Sequence, residues 1–224
     1  MYSKVIKRLI DILAALVLLT LLSPLLIPIV IGLLLTGEHY VFYSQPRVGY
    51  KNKSFRILKF ATMLKNSPNM GTGSITVRRD PRILPMGHFL RKTKINELPQ
   101  IINVLIGNMT LVGPRPQMQS DFNKFPEHIQ SMIYNVKPGV TGIGSIVFRD
   151  EEKWMTGNTE EVHAFYKAHI APYKGALEVW YQKHLSLYTD LMILFLTIWV
   201  IVAPESQLMY KVFKDLPELP EELK

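Results

Sequence analysis

At 224 residues, the chain is long enough for one compact domain, or for one domain with a membrane segment. It contains no cysteine, which excludes a disulfide framework, thiol catalysis and a zinc-thiolate site. Its formal net charge of +8 at pH 7 suits an anionic partner such as lipid headgroups, nucleotide phosphates or nucleic acid.

An uncharged apolar run extends from Ile12 to Leu35. As a straight helix it would measure roughly 36 Å, against about 30 Å for the hydrocarbon core of a bilayer. The run is longer than the apolar region of a typical signal peptide, and no small-residue cleavage site follows it. It therefore predicts a segment that stays in the membrane.

Basic side chains flank this run on both sides: Lys4, Lys7 and Arg8 before it, and Arg47, Lys51, Lys53, Arg56 and Lys59 after it. Cytoplasmic flanks are normally the basic ones. Two basic flanks therefore favour a hairpin with both ends on the cytoplasmic side over a simple span.

The apolar run also carries its own helix breakers. Pro24 has no N–H for the carbonyl of Thr20, and its ring clashes there, so the helix must kink. The Ser23 hydroxyl is expected to bond back to the carbonyl of Leu19, and Pro28 loosens the second half further. Two topologies stay open: a re-entrant helix-break-helix that enters and leaves by the cytoplasmic face, and an ordinary kinked span.

After residue 38 the pattern changes to that of a small folded domain. Apolar and polar residues alternate over residues 40–63, with a turn near Gly49–Asn52, which predicts a β-hairpin or two short strands. Together with the helices described below, this predicts a mixed, helix-rich α/β fold. The predicted regions are a re-entrant membrane hairpin over residues 1–38, a cytoplasmic domain over 39–204 and a C-terminal tail over 205–224.

The clearest helical pattern follows Asn96. Four apolar side chains share one helix face: Leu98, Ile101, Ile102 and Leu105. Asn96 is a natural N-cap, Pro99 fits the first turn and Gly107 ends the helix. Asn96 and Glu97 would then lie at a helix N-terminus, where free N–H groups favour an anion.

Basic side chains concentrate just before this helix: Arg78, Arg79, Arg82, Arg91, Lys92 and Lys94. Such a run is either a solvated face or a set of phosphate-binding groups. Beyond the helix, Arg115 stands between Pro114 and Pro116, a stiff mount for a guanidinium that could bind phosphate bidentately.

Two further apolar patterns predict helices. The first is amphipathic and uses Phe125, Ile129, Met132, Ile133 and Val136. The second is a helical stretch that begins after Asn158 and ends in an apolar run over residues 191–203, which is too short for a straight span. We expect it to lie at the membrane interface or to pack against the N-terminal hairpin.

Two non-enzymatic classes compete with an enzyme. A membrane-tethered nucleic-acid binder would explain the charge, but the basic residues are not interleaved with the stacking aromatics that strand-binding surfaces need. A pure membrane anchor would not need Arg115 between two prolines beside a capped helix.

Taken together, the motifs resemble those of the bacterial sugar transferase family, the monotopic polyprenol-phosphate phosphoglycosyl transferases. The resemblance runs from about Lys7 to Val200 and rests on "KRLID", Ser23–Pro24, "QPRVG", "FRILKFATM", "DPRI", "GHFLRKT", "NELPQIINVLIGNMTLVGPRP" and "KPGVTG". It implies a re-entrant membrane helix and a domain on the cytoplasmic face of the bacterial inner membrane. It also implies transfer of a phosphosugar from a UDP-sugar to polyprenol phosphate, with release of UMP and with Mg²⁺ as cofactor.

The resemblance further implies roles for particular residues. The family's catalytic Asp-Glu pair falls on Asn96 and Glu97, with Glu97 as the magnesium ligand. The other implied roles are phosphate binding by Arg91 and Arg115, shaping of the membrane hairpin by Ser23 and Pro24, and headgroup anchoring by Lys7 and Arg8, joined by Asp11. A homodimer is expected as well, and nucleic acid is not expected as a partner.

Three positions depart from the family pattern: Asn96 replaces the nucleophilic Asp, Asn108 replaces the Asp of "GDMS", and Ala61 replaces the Arg of "KFRTM". An amide can cap a helix and offer its oxygen to a metal, but it is uncharged and weakly nucleophilic.

Four explanations of Asn96 follow. In the first, position 96 carries a deliberate Asp→Asn change that traps substrate. In the second, a different carboxylate attacks the diphosphate of the donor, namely Glu97, Asp80 or Asp150. Alternatively, Glu97 holds magnesium while the lipid phosphate displaces UMP directly. In the fourth, the chain is a non-catalytic relative that binds sugar nucleotide or lipid and scaffolds glycan assembly.

Overall fold

The structure is a computed structural model that describes residue 2 and residues 4–70, 80–154 and 159–223. The basic residues Arg78 and Arg79 lie outside these ranges. The described strands are β1 (Phe42–Val48), β2 (Ser54–Phe60), β3 (Thr110–Val112) and β4 (Gly139–Thr141). The described α-helices are α1 (Lys4–Leu35), α2 (Gly87–Lys92), α3 (Gln100–Ile106), α4 (Gln119–Phe122), α5 (Glu127–Gln130), α6 (Ile143–Val147), α7 (Thr159–Phe165), α8 (Ala171–Lys183), α9 (Leu187–Val202) and α10 (Leu208–Val212). The predicted helix-rich mixed α/β fold is therefore confirmed.

The apolar run forms part of one long helix. Among the described residues, α1 is the one helix long and apolar enough to cross a membrane. Its 32 residues run on through Pro24 and Pro28, so the predicted helix break is not seen.

The Ser23 hydroxyl forms a hydrogen bond to a different carbonyl from the one predicted. It donates to the carbonyl of Thr20 at 2.7 Å, not to that of Leu19. The physical reason is that Pro24 has no N–H to offer the Thr20 carbonyl, so the hydroxyl satisfies an acceptor that the proline leaves without its usual donor.

The predicted β-hairpin is confirmed. β1 and β2 form a two-stranded sheet, and a 3-10 turn over Tyr50–Asn52 lies between them. Lys51 and Asn52 have positive φ angles of 55° and 57°, so both adopt the left-handed conformation within this connection.

A second sheet was not predicted from the sequence. β3 and β4 are parallel, with Thr110 opposite Gly139 and Val112 opposite Thr141. The backbones approach so closely beyond β3 that a Cβ atom on Gly139 would lie 2.2 Å from the amide nitrogen of Gly113. Only glycine fits there, and the loop that carries Arg115 begins at this point.

The chain divides into two compact units. The first comprises residues 1–11, 46–55 and 107–224, and the second comprises residues 12–45 and 56–106. The second unit has an apolar core built from Ile29, Leu33, Phe60 and Leu90. In the first unit, α8 and α9 supply core residues that include Leu177, Ile193 and Leu196. The predicted boundaries at residues 38 and 204 stay predictions.

Helix α9 has two apolar faces. One is buried in its unit through Ile193, Leu196 and Val200. The other exposes Leu191, Phe195, Ile198 and Val202, residues that follow helical spacing. The stretch predicted to be helical after Asn158 is divided in the structure. α8 ends at Lys183 and α9 starts anew at Leu187, where the Ser186 hydroxyl caps it by accepting from the Thr189 amide at 3.1 Å.

The predicted amphipathic helix around residues 125–136 is much shorter in the structure. α5 covers only four residues, Glu127–Gln130. Phe125, Ile129 and Ile133 are nevertheless buried. The apolar spacing therefore identified the core residues correctly, while the backbone continues as turns.

Candidate functional site

Asn96 and Glu97 lie in a 3-10 turn, Ile95–Glu97, that precedes α3. The turn starts at Lys94, whose φ of 59° is left-handed, so the chain is already turning before residue 96. The prediction that Asn96 caps the following helix is therefore wrong. The predicted helix end is confirmed, because α3 stops at Ile106 and Gly107 has a φ of 96°.

The side chain of Asn96 is buried but incompletely satisfied. The residue is 8% exposed, and its Oδ1 atom accepts no hydrogen bond from the described part of the chain. A buried amide oxygen without a donor costs free energy. Such an atom is available to a donor, a water molecule or a cation.

Glu97 is held by a cation from a neighbouring strand. The Nζ atom of Lys59 on β2 lies 2.9 Å from Glu97 Oε1, and the two side chains are 17% and 24% exposed. Lys59 was counted among the basic flanking residues, but its link to Glu97 was not predicted. The signal available in the sequence was a single charge between the apolar neighbours Leu58 and Phe60.

Asn103 fixes α3 against β2 and thereby sets the position of this ion pair. Its Oδ1 accepts from the Leu58 amide at 2.8 Å, and its Nδ2 donates to the Arg56 carbonyl at 2.8 Å. Both bonds are made to the strand just before Lys59. The backbone that carries Lys59 is therefore fixed against α3 on the N-terminal side of the lysine.

Arg91 lies in the same unit as this turn. It is in the last turn of α2, which packs against the 3-10 turn, and its Nη1 atom lies 3.7 Å from the sulfur of Met63. The guanidinium is half-buried. The structure thus brings Arg91, Asn96, Glu97 and Lys59 into one unit.

Arg115 belongs to the other unit, in the loop after β3. Hydrogen bonds to the backbone of this loop hold it in place. The Tyr134 hydroxyl donates to the Arg115 carbonyl at 2.8 Å and accepts from the Gln117 amide at 2.9 Å. The carboxylate of Glu178, on α8, accepts from the Arg115 amide. The backbone bonds hold the loop in place, as the two flanking prolines led us to expect.

Glu178 is an unusual carboxylate that the sequence analysis missed. It is 2% exposed, and burial raises its pKa to about 7, although the positive charge of Lys174 and the Arg115 amide act in the opposite direction. In the folded protein, this group therefore keeps its proton up to nearly neutral pH.

The raised pKa predicts how stability depends on pH. Between about pH 5 and pH 7 the folded chain holds the Glu178 proton and the unfolded chain has released it, so the free energy of unfolding falls as pH rises. Glu178→Gln is expected to remove this slope and to be more stable than the parent chain at pH 8, by on the order of 2 kcal/mol. Denaturant unfolding in detergent from pH 5 to pH 8 measures the slope of the unfolding free energy with pH and the difference in stability at pH 8. An equal slope in the parent chain and the variant would contradict the assignment, and exposed Glu127→Gln is the matched control.

The alternative carboxylates raised by the sequence are placed differently. Asp80 is 2% exposed, and its two oxygens receive Arg82 Nε at 2.8 Å and Arg82 Nη2 at 2.5 Å. This buried ion pair leaves Asp80 no open side from which to attack a phosphorus atom. Asp150 is exposed and lies in the other unit.

The residues assigned to lipid headgroups make internal contacts. Lys7 pairs with the carboxylate of Asp190. Asp11 is 4% exposed and accepts from Thr110 Oγ1 at 2.7 Å and from the Leu111 amide at 3.0 Å. The structure therefore corrects the expectation for Asp11, which ties α1 to β3 because its carboxylate satisfies two donors there.

The donor set is compatible with a magnesium ion. No group of three Asp, Glu or His side chains converges among the described residues. Magnesium does not need one, because it usually takes one or two protein oxygens and completes its shell with water and substrate phosphates. The Asn96 Oδ1 atom and the Glu97 carboxylate, which also receives Lys59 Nζ at 2.9 Å, are the oxygens that would hold such an ion.

Comparison with known proteins adds the family. Residues 2–204 match the bacterial sugar transferase family. The chain is 35% identical to the UDP-N-acetylgalactosamine-undecaprenyl-phosphate N-acetylgalactosaminephosphotransferase of Aeromonas hydrophila, over 88% of this chain and 44% of that protein. It is 31% identical to the UDP-galactose-lipid carrier transferase of Erwinia amylovora, over 89% of this chain and 41% of that protein.

A shorter relative is covered over most of its length. The chain is 30% identical to the exopolysaccharide production protein ExoY of Rhizobium meliloti (strain 1021), over 86% of this chain and 83% of that protein. The chain thus belongs to the bacterial sugar transferase family, and it spans less than half the length of the Aeromonas and Erwinia relatives.

Proposed function

We propose that the chain is a phosphoglycosyl transferase that moves a phosphosugar from a UDP-sugar to polyprenol phosphate, such as undecaprenyl phosphate, and releases UMP. This step would initiate the assembly of a membrane-linked polysaccharide. Family membership and the names of the relatives support the reaction class. The observation that carries the site is the buried, unsatisfied Asn96 Oδ1 beside the Glu97–Lys59 ion pair.

Glu97 and Asn96 would hold a magnesium ion through a carboxylate oxygen and the amide oxygen. The ion, when bound, would neutralise charge on the diphosphate of the donor. Lys59 would keep the Glu97 carboxylate oriented. Arg91, in the same unit, would bind the diphosphate oxygens, since a guanidinium matches phosphate bidentately. The phosphate-binding role of Arg115, in the other unit, stays a prediction.

We assign the attack on the donor to a phosphate oxygen of the polyprenol phosphate acceptor. An amide oxygen carries no charge and is a poor nucleophile, so Asn96 is not expected to form a covalent intermediate. An oxygen of the polyprenol phosphate would instead bond to the β-phosphorus of the donor. The bond from that phosphorus to the bridging oxygen breaks, and its electron pair leaves with UMP.

The reaction is tested by incubating the chain in bacterial phospholipid micelles with a panel of UDP-sugars, undecaprenyl phosphate and Mg²⁺. UMP release is expected with Mg²⁺ and is expected to stop with EDTA. Equal UMP release in EDTA would contradict the roles of Asn96 and Glu97.

A second candidate function rests on the same asparagine. Because Asn96 lacks the charge of a carboxylate, the site could bind the sugar nucleotide without transfer and scaffold glycan assembly. Calorimetric binding of a UDP-sugar without UMP release, for every donor of the panel, would favour this candidate over the enzyme.

For the membrane segment we propose a re-entrant hairpin on the cytoplasmic face of the bacterial inner membrane. Pro24 and Pro28 weaken α1 in its middle, Ser23 satisfies the Thr20 carbonyl there, and both flanks are basic. The predicted homodimer stays a prediction.

The absence of cysteine from the sequence makes the topology directly testable. Single Lys4→Cys and His39→Cys substitutions report the two ends of α1. For a hairpin, a membrane-impermeant maleimide is expected to label both positions in inside-out vesicles and neither in spheroplasts. Labelling of one position from each side would establish a span. Pro24→Ala is expected to restore the missing N–H and shift the labelling toward that second pattern.

A further inference from the structure

We propose that Glu178 is a positioning residue for the donor: it holds the backbone of the loop that carries Arg115 and thereby sets how strongly Arg115 binds phosphate. This role rests on the proposed function and on the predicted phosphate binding by Arg115. Both residues belong to the first unit. Glu178 itself would not touch the donor, because it is 2% exposed.

The hydrogen bond of Glu178 within the described part of the chain goes to backbone. Its carboxylate accepts from the Arg115 amide, and its Oε2 atom receives no donor from the described residues. The nearby cation Lys174 is engaged elsewhere, since its Nζ atom lies 2.8 and 2.9 Å from the two carboxylate oxygens of Glu151. A buried carboxylate held in this way costs free energy. Glu178 is therefore not explained by stability, which leaves its contact with the loop.

Two glycines at the start of α6 make room for this carboxylate. A Cβ atom on Gly144 would lie 2.4 Å from Glu178 Oε1, and one on Gly142 would lie 2.2 Å from the carbonyl oxygen of Gly113. Gly113 is in the same loop as Arg115, two residues earlier. Because the carboxylate, α6 and the loop are packed together, a shift of the carboxylate displaces its neighbours.

The protonation of Glu178 adds a pH dependence to this contact. Burial raises the pKa of Glu178 to about 7, so the group is neutral below this pH and charged above it. The charged form places a negative charge beside the residue that would bind phosphate, and like-charge repulsion then weakens that binding. By reciprocal linkage, donor binding favours the neutral form and takes up protons near pH 7.

Other titratable groups lie around Glu178. Against the effect of burial, Lys174 and the Arg115 amide act to lower its pKa. Burial raises the pKa values of Tyr134 and Tyr181, and the charge of Glu178 adds to both shifts. α6 carries no titratable side chain. The other elements packed against α8 contribute Glu127, His128, Tyr166, Lys167 and His169. Since histidines in general titrate in the same pH range, the contribution of Glu178 is the difference between the parent chain and Glu178→Gln.

The test is calorimetric binding in detergent with Mg²⁺, using the donors that two relatives name, UDP-galactose and UDP-N-acetylgalactosamine. The Kd of the parent chain is expected to be about threefold higher at pH 8 than at pH 6. At pH 7, binding is expected to take up a fraction of a proton, measured from the heats in buffers of different ionisation enthalpy. Glu178→Gln keeps an acceptor for the Arg115 amide and loses the charge, so both effects are expected to disappear.

Two further variants disturb the contact itself. Glu178→Leu removes the acceptor and Gly144→Ala displaces the carboxylate, so each is expected to raise the Kd at pH 6 about tenfold. In an Arg115→Gln background, the same two substitutions are expected to change the Kd by less than about twofold, because they act through Arg115. Exposed Glu127→Gln is the matched control and is expected to bind like the parent chain.

Equal Kd values in the parent chain, Glu178→Leu and Gly144→Ala would overturn the role of Glu178 and leave the transferase standing. Undiminished effects of these substitutions in the Arg115→Gln background would overturn it as well, since Glu178 would then act by another route. Failure of the folded parent chain to bind either donor would overturn both proposals. Donor binding with the expected pattern among the variants, but without UMP release, would support the positioning role and contradict the transferase.

Discussion

Glu97→Gln is expected to lower the rate of UMP release by on the order of 100-fold or more. The substitution keeps the size of the side chain but removes the charge that pairs with Lys59 at 2.9 Å and that would hold the cation at the diphosphate. Loss of a group that stabilises developing charge typically costs this much. The rate is measured with saturating UDP-sugar and undecaprenyl phosphate.

The matched control is Glu127→Gln, because Glu127 is an exposed carboxylate on α5, outside the unit that contains Glu97. It is expected to retain the parent rate. A Glu97→Gln variant that is folded by circular dichroism and as active as this control would show that Glu97 has no part in the chemistry.

Asn96→Asp is expected to raise the rate of UMP release by on the order of 10-fold or more and to open a covalent route. The substitution replaces an uncharged oxygen with a carboxylate at the same position, and a carboxylate can attack phosphorus. Intact mass spectrometry of the variant with UDP-sugar alone is expected to show a phosphosugar adduct, which the parent chain does not form.

The phosphosugar adduct distinguishes a covalent route from improved binding of the cation. A faster rate without any adduct would mean that the carboxylate only improves cation binding. A rate of UMP release equal to that of the parent chain would contradict the catalytic position that we assign to Asn96. Asn103→Asp is not a suitable control, because Asn103 holds α3 to β2. Asn123→Asp, an exposed position on the other unit, serves instead.

Long or strongly patterned segments could be predicted from the sequence. α1 follows from an uncharged run long enough for a membrane, and the β1–β2 hairpin follows from alternation around a glycine turn. Gly107 was correctly expected to end α3, because a left-handed residue at that position is a local requirement that glycine meets.

Features that depend on distant contacts could not be predicted. β3 and β4 have three residues each, too few for alternation to be recognised, and they meet only because the chain folds between them. Lys59 and Glu97 are 38 positions apart, so neither residue predicts the other. The same holds for Glu178, whose partner is the backbone of the Arg115 loop.

The error at Asn96 has a local origin. Helix propensity and capping rules favoured Asn96 as the first helical cap, but the left-handed Lys94 starts a 3-10 turn two residues earlier. The side chain that would have capped the helix is thereby left with an unsatisfied buried oxygen. The capping rule thus fails at the residue that we place in the proposed transferase site.

The most direct test of the central claim compares UMP release by the unmodified chain with and without undecaprenyl phosphate, in the presence of Mg²⁺ and its preferred UDP-sugar. We expect many UMP molecules per chain when the acceptor is present. Without acceptor, we expect less than one UMP per chain, because the acceptor phosphate is the attacking group. One full equivalent of UMP without acceptor would contradict direct displacement. The absence of UMP in both arms, for every donor that binds, would contradict the assignment as a transferase.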